Sequence, residues 1–361
     1  MTTVKSSKNL IVHGDAVETP PHLQESFITP ADSFFVCSSV SPPTIDLADY
    51  AIEISGDAIE RPITLSYDEL LKLPTHTVIA YLECAGSQRR LFNLIHGKEP
   101  YSEEFAMTPW LLGGVGNAIW TGVSLRTVLE MAGVKESALD VNTKGLDAEA
   151  PEGGVSRPIS IEKALDPDTI LAYMMNGELL LPDHGSPVRL VVPGWIGANS
   201  VKWVGSITVS TTKIWVDRNT KHYVLIGDEW ADDRQGAVLG GTITTQNVKS
   251  SLTIPWEAEL NAGKNLLRGV ARSPHGQIEK VEWWATNEAG EQTAIQEAKL
   301  MPPFLKYAWV RFELEWDVPP GNWTISTRAT DVFGNTQPDE IPFNLEGYLF
   351  NQVYPHPVTV Q

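Results

Sequence analysis

The rhythm of apolar and polar positions changes once along this chain of 361 residues, near residue 245. Beyond that point Leu266-Leu-Arg-Gly-Val-Ala271, Ile278-Glu-Lys-Val-Glu-Trp-Trp-Ala285, Trp309-Val-Arg-Phe-Glu-Leu-Glu-Trp316 and Gly321-Asn-Trp-Thr-Ile-Ser-Thr-Arg-Ala329 alternate apolar with polar side chains. A period of two is that of a strand with one face buried. Gly, Pro and Asn separate these runs and helical spacing nearly vanishes, which predicts an all-β sandwich over residues 245–361.

Before residue 245 the pattern is mixed. Glu18-Thr-Pro-Pro21 and Ser41-Pro-Pro43 read as extended connections, so the first fifty or so residues are expected to wrap over the surface. Residues 50–57 alternate as a strand and turn, and Ser66 stands as N-cap before a helical pattern over 65–73. The run Val78-Ile-Ala-Tyr-Leu82 predicts a buried strand that ends at Cys84. Leucine spacing over 125–133 predicts a helix stopped by Gly133, residues 159–167 a short helix closed by Asp166-Pro167, and residues 171–177 a strand running into an Asn-Gly turn. Short helices and strands in this irregular order predict an α+β domain over 1–244, neither a doubly wound sheet nor a barrel. The glycines of 111–122 form no Gly-x-Gly-x-x-Gly opening a helix, which argues against a dinucleotide fold.

Composition narrows the function classes. Lys and Arg number 27 against 45 Asp and Glu, a formal charge of −18, so there is no general attraction for nucleic acid or for an anionic membrane. An anionic substrate would need a local positive pocket. No apolar run reaches membrane-spanning length and none near the N-terminus has signal-peptide character, so a cytoplasmic protein is expected, or a periplasmic one if the N-terminus has been trimmed. Only Cys37 and Cys84 are present, which excludes a disulfide framework, and no Cys-x-x-Cys-His haem motif occurs.

Chemistry concentrates at Cys84. A thiol at the end of a buried strand, followed by small residues and by Arg89 and Arg90, offers a soft metal ligand beside an anion-holding fork, or else a buried structural cysteine. Farther on, His184 and Arg189 flank a turn and Lys202 follows, a set of cations suited to a phosphate. Arg189 stands among Val188, Leu190, Val191 and Val192, where a guanidinium needs a partner.

Two of these stretches carry a resemblance. Leu82-Glu-Cys-Ala-Gly-x-x-Arg89 resembles the cofactor-cysteine motif of the sulfite oxidase family of molybdenum enzymes, and Asp183-His-Gly-Ser-Pro-Val-Arg-Leu-Val-Val-Pro-Gly194 resembles that family's pterin-phosphate segment. The resemblance implies a mixed molybdopterin-binding catalytic domain over 1–244 and an immunoglobulin-like dimerisation domain over 245–361. It implies a molybdenum-molybdopterin cofactor whose metal has Cys84 as its one protein ligand. His184, Arg189, Lys202, Ser200, Phe35 and Asp147 would hold the cofactor, Arg89 and Tyr223 would act on a small oxyanion such as sulfite, and Trp110 would form an aromatic wall. Electrons would pass to a separate acceptor, a cytochrome or oxygen, and the chain would be a homodimer with neither nucleic acid nor membrane as partner.

The sequence also departs from the family pattern. Cys37, Ser39 and Pro355 stand where an arginine, a histidine and a second arginine are expected, and Asn199 and Ser200 where an arginine and a histidine are common. Cys37 is therefore either a second soft group beside the metal or a neutral wall residue. A pocket short of positive charge implies weak or absent sulfite turnover, or a different small substrate. Two other readings remain: a cysteine hydrolase using Cys84 and His184, and a cofactor-binding protein without sulfite turnover.

Overall fold

The computed structural model describes residues 10–14, 16–101, 107–227, 229–230 and 241–361; residues 1–9 of the N-terminal stretch read above for a leader lie outside them. Strands dominate. The α-helices among the described residues, Tyr67–Leu70, Arg90–His96, Leu125–Met131, Ile161–Ala164 and Asp217–Thr220, run to seven residues at most. The expected balance of helix and strand is thus corrected toward strand. The helical patterns are short and closely bounded: Ser66 caps Tyr67–Leu70 in a reciprocal box with Glu69, and Leu73-Pro74 follows at once.

Two sheets build the first part of the chain. One has the order Ile63–Ser66, Ala51–Gly56, Val204–Ser210, Asp140–Gly145, Ser156–Ser160, antiparallel except for the second and third strands. The other runs Glu178–Leu179, Ile170–Met175, Val115–Ser124, Thr75–Glu83, with Arg189–Val191 also paired to Ile170–Met175. Ile52, Ile54, Ile207 and Val209 of the first sheet share a core with Leu171 and Leu190 of the second and with Val128 and Leu129 of the helix Leu125–Met131. The expected Asn-Gly turn joins Ile170–Met175 to Glu178–Leu179, Asn176 (φ 55°) and Gly177 (φ 85°) taking the left-handed conformations that such a hairpin needs.

The N-terminal segment is not a surface wrap. Val17, Phe34 and Val36 are fully buried, Val17 and Val36 exchange two backbone hydrogen bonds, and the buried Glu18 carboxylate accepts the Leu111 and Gly113 N–H groups. The carboxylate supplies acceptors to a loop that has no ladder partner of its own, and this outweighs the polar, proline-rich character of the segment.

From Lys249 onward two further sheets pack about one apolar core: Lys249–Leu252, Gly263–Arg272, Val310–Val318, Lys299–Met301, and Ala258–Leu260, His356–Val360, Gly321–Asp331, Ile278–Asn287, Gln296–Glu297. The predicted alternation is observed, Val310, Phe312, Leu314 and Trp316 all facing that core. No sheet mixes described strands from the two parts, yet they are joined firmly. Glu83, the last residue of Thr75–Glu83, is fully buried and pairs with Arg272 (2.6 and 2.8 Å) and with Lys249 (2.9 Å). Tyr81 also donates its N–H to the Tyr307 carbonyl. No described helix is long and apolar enough to cross a membrane.

Candidate cofactor and metal site

Thr75–Glu83 delivers Cys84, whose N–H donates to the Gly114 carbonyl; the chain then turns, with Ser87 N–H on the Cys84 carbonyl and Arg89 N–H on that of Gly86. Arg89 folds back over this turn. A Cβ on Gly86 would stand 2.0 Å from Arg89 Nη2, so the glycine is what lets the guanidinium lie there. Cys84 and Arg89 face a cavity of about 660 Å³ that also receives Cys37, Phe35, Trp110, Asp147, His184, Arg189, Ser200, Lys202 and Tyr223. The residues that the resemblance assigns to the site thus line one cavity, whereas Arg90 is exposed and does not line it.

Cys37 and Cys84 both line this cavity and pack against the cluster of Phe34, Phe35, Leu82 and Trp110. Interaction with Cys84, against burial and with help from Lys202, Arg89 and Arg218, draws the Cys37 thiol below its usual range, while interaction with Cys37 and burial hold the proton on Cys84.

His184 Nε2–H donates to the Ala31 carbonyl at 2.7 Å; burial, with help from Arg189 and Lys202, pushes its pKa down to about 3, so among the protein's own groups it is a neutral imidazole on the cavity wall. Arg189 donates from Nη1 to the His184 carbonyl and from Nη2 to the Ser200 carbonyl, both at 3.1 Å, and lies 5.0 Å from the Trp120 ring. Burial lowers its pKa to about 9. Lys202 Nζ donates to Ser38 Oγ and to the Asp183 carbonyl. Gly185, at φ 100°, lets Arg189 and Lys202 approach: a Cβ there would lie 3.0 Å from both side chains. Ser200 Oγ accepts the Val192 N–H (3.1 Å) and Asp147 Oδ1 the Val155 N–H (3.0 Å), so both first serve to shape the wall; burial raises the Asp147 pKa.

The opposite wall holds residues that sequence reading missed. Tyr223 stacks on Tyr348 (5.3 Å, 15°) with the Arg157 guanidinium 4.9 Å from its ring, and burial raises its pKa to about 12. Arg218, on the helix Asp217–Thr220, donates to Ser39 Oγ and lies 3.5 Å from the Tyr223 hydroxyl, while Arg89 lies over the Tyr348 ring at 5.2 Å. Arg218 was legible only as a cation five residues before Tyr223, and Tyr348 lies in the tail stretch searched for an arginine at Pro355, which does not line the cavity.

The donor set fits an anionic cofactor with a soft metal. Arg89 Nε and Arg189 Nε, on two residues that line the cavity, are buried without a partner among the described residues, donors that an anion would satisfy. Among the described residues no three His, Cys, Asp or Glu side chains converge as a metal cage, so a metal beside Cys84 would take its remaining donors from a cofactor.

The comparisons agree with this chemistry. Residues 39–215 match the family described as oxidoreductase molybdopterin binding domain. Mitochondrial sulfite oxidase of Rattus norvegicus is 31% identical over 345 residues, 92% of this chain and 62% of that protein. NADH nitrate reductase 1 of Phaseolus vulgaris is 32% identical over 365 residues, 92% of this chain and 40% of that protein. The sulfane dehydrogenase SoxCD from Paracoccus pantotrophus shares the fold with a TM-score of 0.78 at 26% identity, covering 94% of this chain and 83% of that one. The chain belongs to the sulfite oxidase family of molybdopterin-dependent oxidoreductases. It spans less than two thirds of the length of these curated relatives.

Proposed function

We propose that this chain catalyses two-electron oxo transfer at a molybdenum cofactor, with a small sulfur oxyanion such as sulfite as oxygen acceptor and electron donor and a separate protein or oxygen as electron acceptor. The observation that carries the reading is Cys84 at the end of its strand, facing a cavity shared with Arg89, Arg218 and Lys202. Cys84 would hold the metal, and Arg189 and Lys202 the phosphate of the pterin. Bound there, the cofactor supplies the oxygen exchange and the two-electron redox capacity. Arg89 and Arg218 attract and orient the anion through charge-assisted hydrogen bonds, and the Tyr223 hydroxyl, protonated at neutral pH, donates to an anion oxygen. Conversion of sulfite to sulfate takes one oxygen from water and releases two protons and two electrons, the latter to the acceptor.

Arg218 also alters the expected charge count. The positions of Cys37, Ser39 and Pro355 have no cation, but a guanidinium reaches the same cavity from the helix Asp217–Thr220, which supports sulfite turnover rather than its loss. The test is molybdenum and pterin content, followed by steady-state kinetics with sulfite, thiosulfate, a sulfoxide and nitrate and an artificial acceptor. Molybdenum near one per chain with sulfite turnover is expected; a metal-free pterin-free chain would sink the assignment. Nitrate is included because nitrate reductases match at the same identity as sulfite oxidases; turnover of nitrate alone would give the cavity to the reverse transfer.

We read residues 1–244 as the molybdopterin-binding domain and 245–361 as an immunoglobulin-like domain that forms a homodimer. The separate sheets support the division, and Val332 and Phe333, exposed at 52% and 71% on a hairpin of the second part, support a covered surface there. Sedimentation of wild type and Phe333→Asp tests the dimer. A cytoplasmic site is supported by Cys37 and Cys84 both standing as free thiols.

A further inference from the structure

We propose that Gln246 and Ser251 are positioning residues that hold the turn over residues 84–89 in the shape its two functional side chains need, Gln246 acting through Cys84 and Ser251 through Arg89. The roles of Cys84 and Arg89 rest on the reading above; the hold on the turn does not.

The turn satisfies only part of its own backbone. The Cys84 and Gly86 carbonyls accept from Ser87 and Arg89 within it, whereas the Glu83 and Ala85 carbonyls, on either side of Cys84, accept from the far part of the chain: Gln246 Nε2 and the Leu349 N–H, both at 2.8 Å. With the Cys84 N–H on Gly114 at 2.9 Å, both polar groups of the peptide bond that carries Cys84 are held from outside the turn. Gln246 is itself fixed. It is 1% exposed, and its backbone N–H donates to the Gly194 carbonyl at 3.1 Å. One buried side chain thereby ties the strand that ends at Cys84 to the segment that carries His184 and Arg189.

Ser251 works at the other end of the turn. Gln88 is buried and adopts φ 71°, a left-handed conformation that costs energy in any residue but glycine. Arg89 follows directly, so this bend helps to aim its guanidinium. Strain of that kind persists only where the surroundings fix it. Gln88 Nε2 donates to the buried Ser251 Oγ at 2.8 Å, and Ser251 is itself held in a ladder opposite Val270.

Gln246→Met and Ser251→Ala in the full chain test this, each removing one polar contact with little change in volume. In the chain prepared without cofactor, hydrogen exchange over residues 84–91 should quicken about 5- to 10-fold in both variants, with the strand Val115–Ser124 unchanged. In the loaded enzyme Ser251→Ala should raise KM about 10-fold at nearly constant kcat, and Ser251→Thr, which restores a hydroxyl, should recover it. Gln246→Met should lower kcat at nearly constant KM and alter the electron paramagnetic resonance spectrum of the molybdenum. Unchanged exchange over residues 84–91, equal loosening of the whole first part, or wild-type kinetics and spectrum in both variants would overturn the proposal. Loosening confined to residues 84–91 in a chain that never carries molybdenum would uphold the hold on the turn and remove the reading of Cys84 as a metal ligand.

Discussion

Arg218 donates to Ser39 Oγ across 179 residues of sequence, and its other terminal nitrogen lies 3.5 Å from the Tyr223 hydroxyl. This places a permanent charge where local sequence showed only small neutral residues. Arg218→Gln should raise KM for the oxyanion substrate about 10- to 100-fold, the worth of a charged hydrogen bond, with a smaller change in kcat. Arg218→Lys should recover part of the loss. Steady-state kinetics on both variants decides, and an unchanged KM in Arg218→Gln would remove Arg218 from the binding site.

Gly86 separates activity from stability. An alanine there puts Cβ 2.0 Å from the far end of the flexible Arg89 side chain, which can swing aside at little cost to the fold. Thermal unfolding of Gly86→Ala should stay close to wild type while KM rises as Arg89 leaves the cavity. A large fall in melting temperature with normal KM would contradict this.

The buried triad of Glu83, Arg272 and Lys249 predicts a stability effect. Burial works to raise the Glu83 pKa, but Arg272 and Lys249 overcome it and hold it down at about 2, below the model-peptide value of 4.5. The stabilisation is therefore complete above pH 4.5 and is lost only as pH falls through about 2. Glu83→Gln leaves two buried cations unneutralised and should cost about 3–5 kcal/mol at pH 7. Denaturant unfolding measures it; a loss under about 1 kcal/mol would mean that water or relaxation compensates the pair.

His356 predicts an acid limb. Burial pushes its pKa from 6.5 to about 4, with Nε2–H on the Pro255 carbonyl and Nδ1 without a partner among the described residues. The unfolded chain binds this proton at higher pH than the folded one, so the His356 contribution is lost as pH falls from 6.5 toward 4. The slope of unfolding free energy against pH in that window should be about 1.4 kcal/mol per unit shallower in His356→Gln. Equal slopes would show that the imidazole is already charged in the fold.

What could be read from sequence was local. The strand into Cys84 shows because an apolar run ends on a thiol, and the alternation in Val310–Val318 shows because one face is buried and the other wet. The hairpin at Asn176-Gly177 shows because few residues tolerate positive φ. Roles set by distant partners did not show. His184 is oriented by a carbonyl 153 residues earlier and kept neutral by burial, Arg218 is placed by a serine 179 residues earlier, and Glu18 enters the interior to serve two amides more than 90 residues ahead. The immediate neighbours of these residues carry no trace of those contacts.

The cavity is closed by groups gathered from Cys37 at one end of the chain to Tyr348 near the other, and the strand that presents Cys84 is anchored through Glu83 to Arg272. During synthesis none of this can be complete until Tyr348 has left the ribosome. A stub cut at residue 245 would therefore lack Tyr348 from the cavity wall and would carry a naked carboxylate, Glu83, beside Cys84.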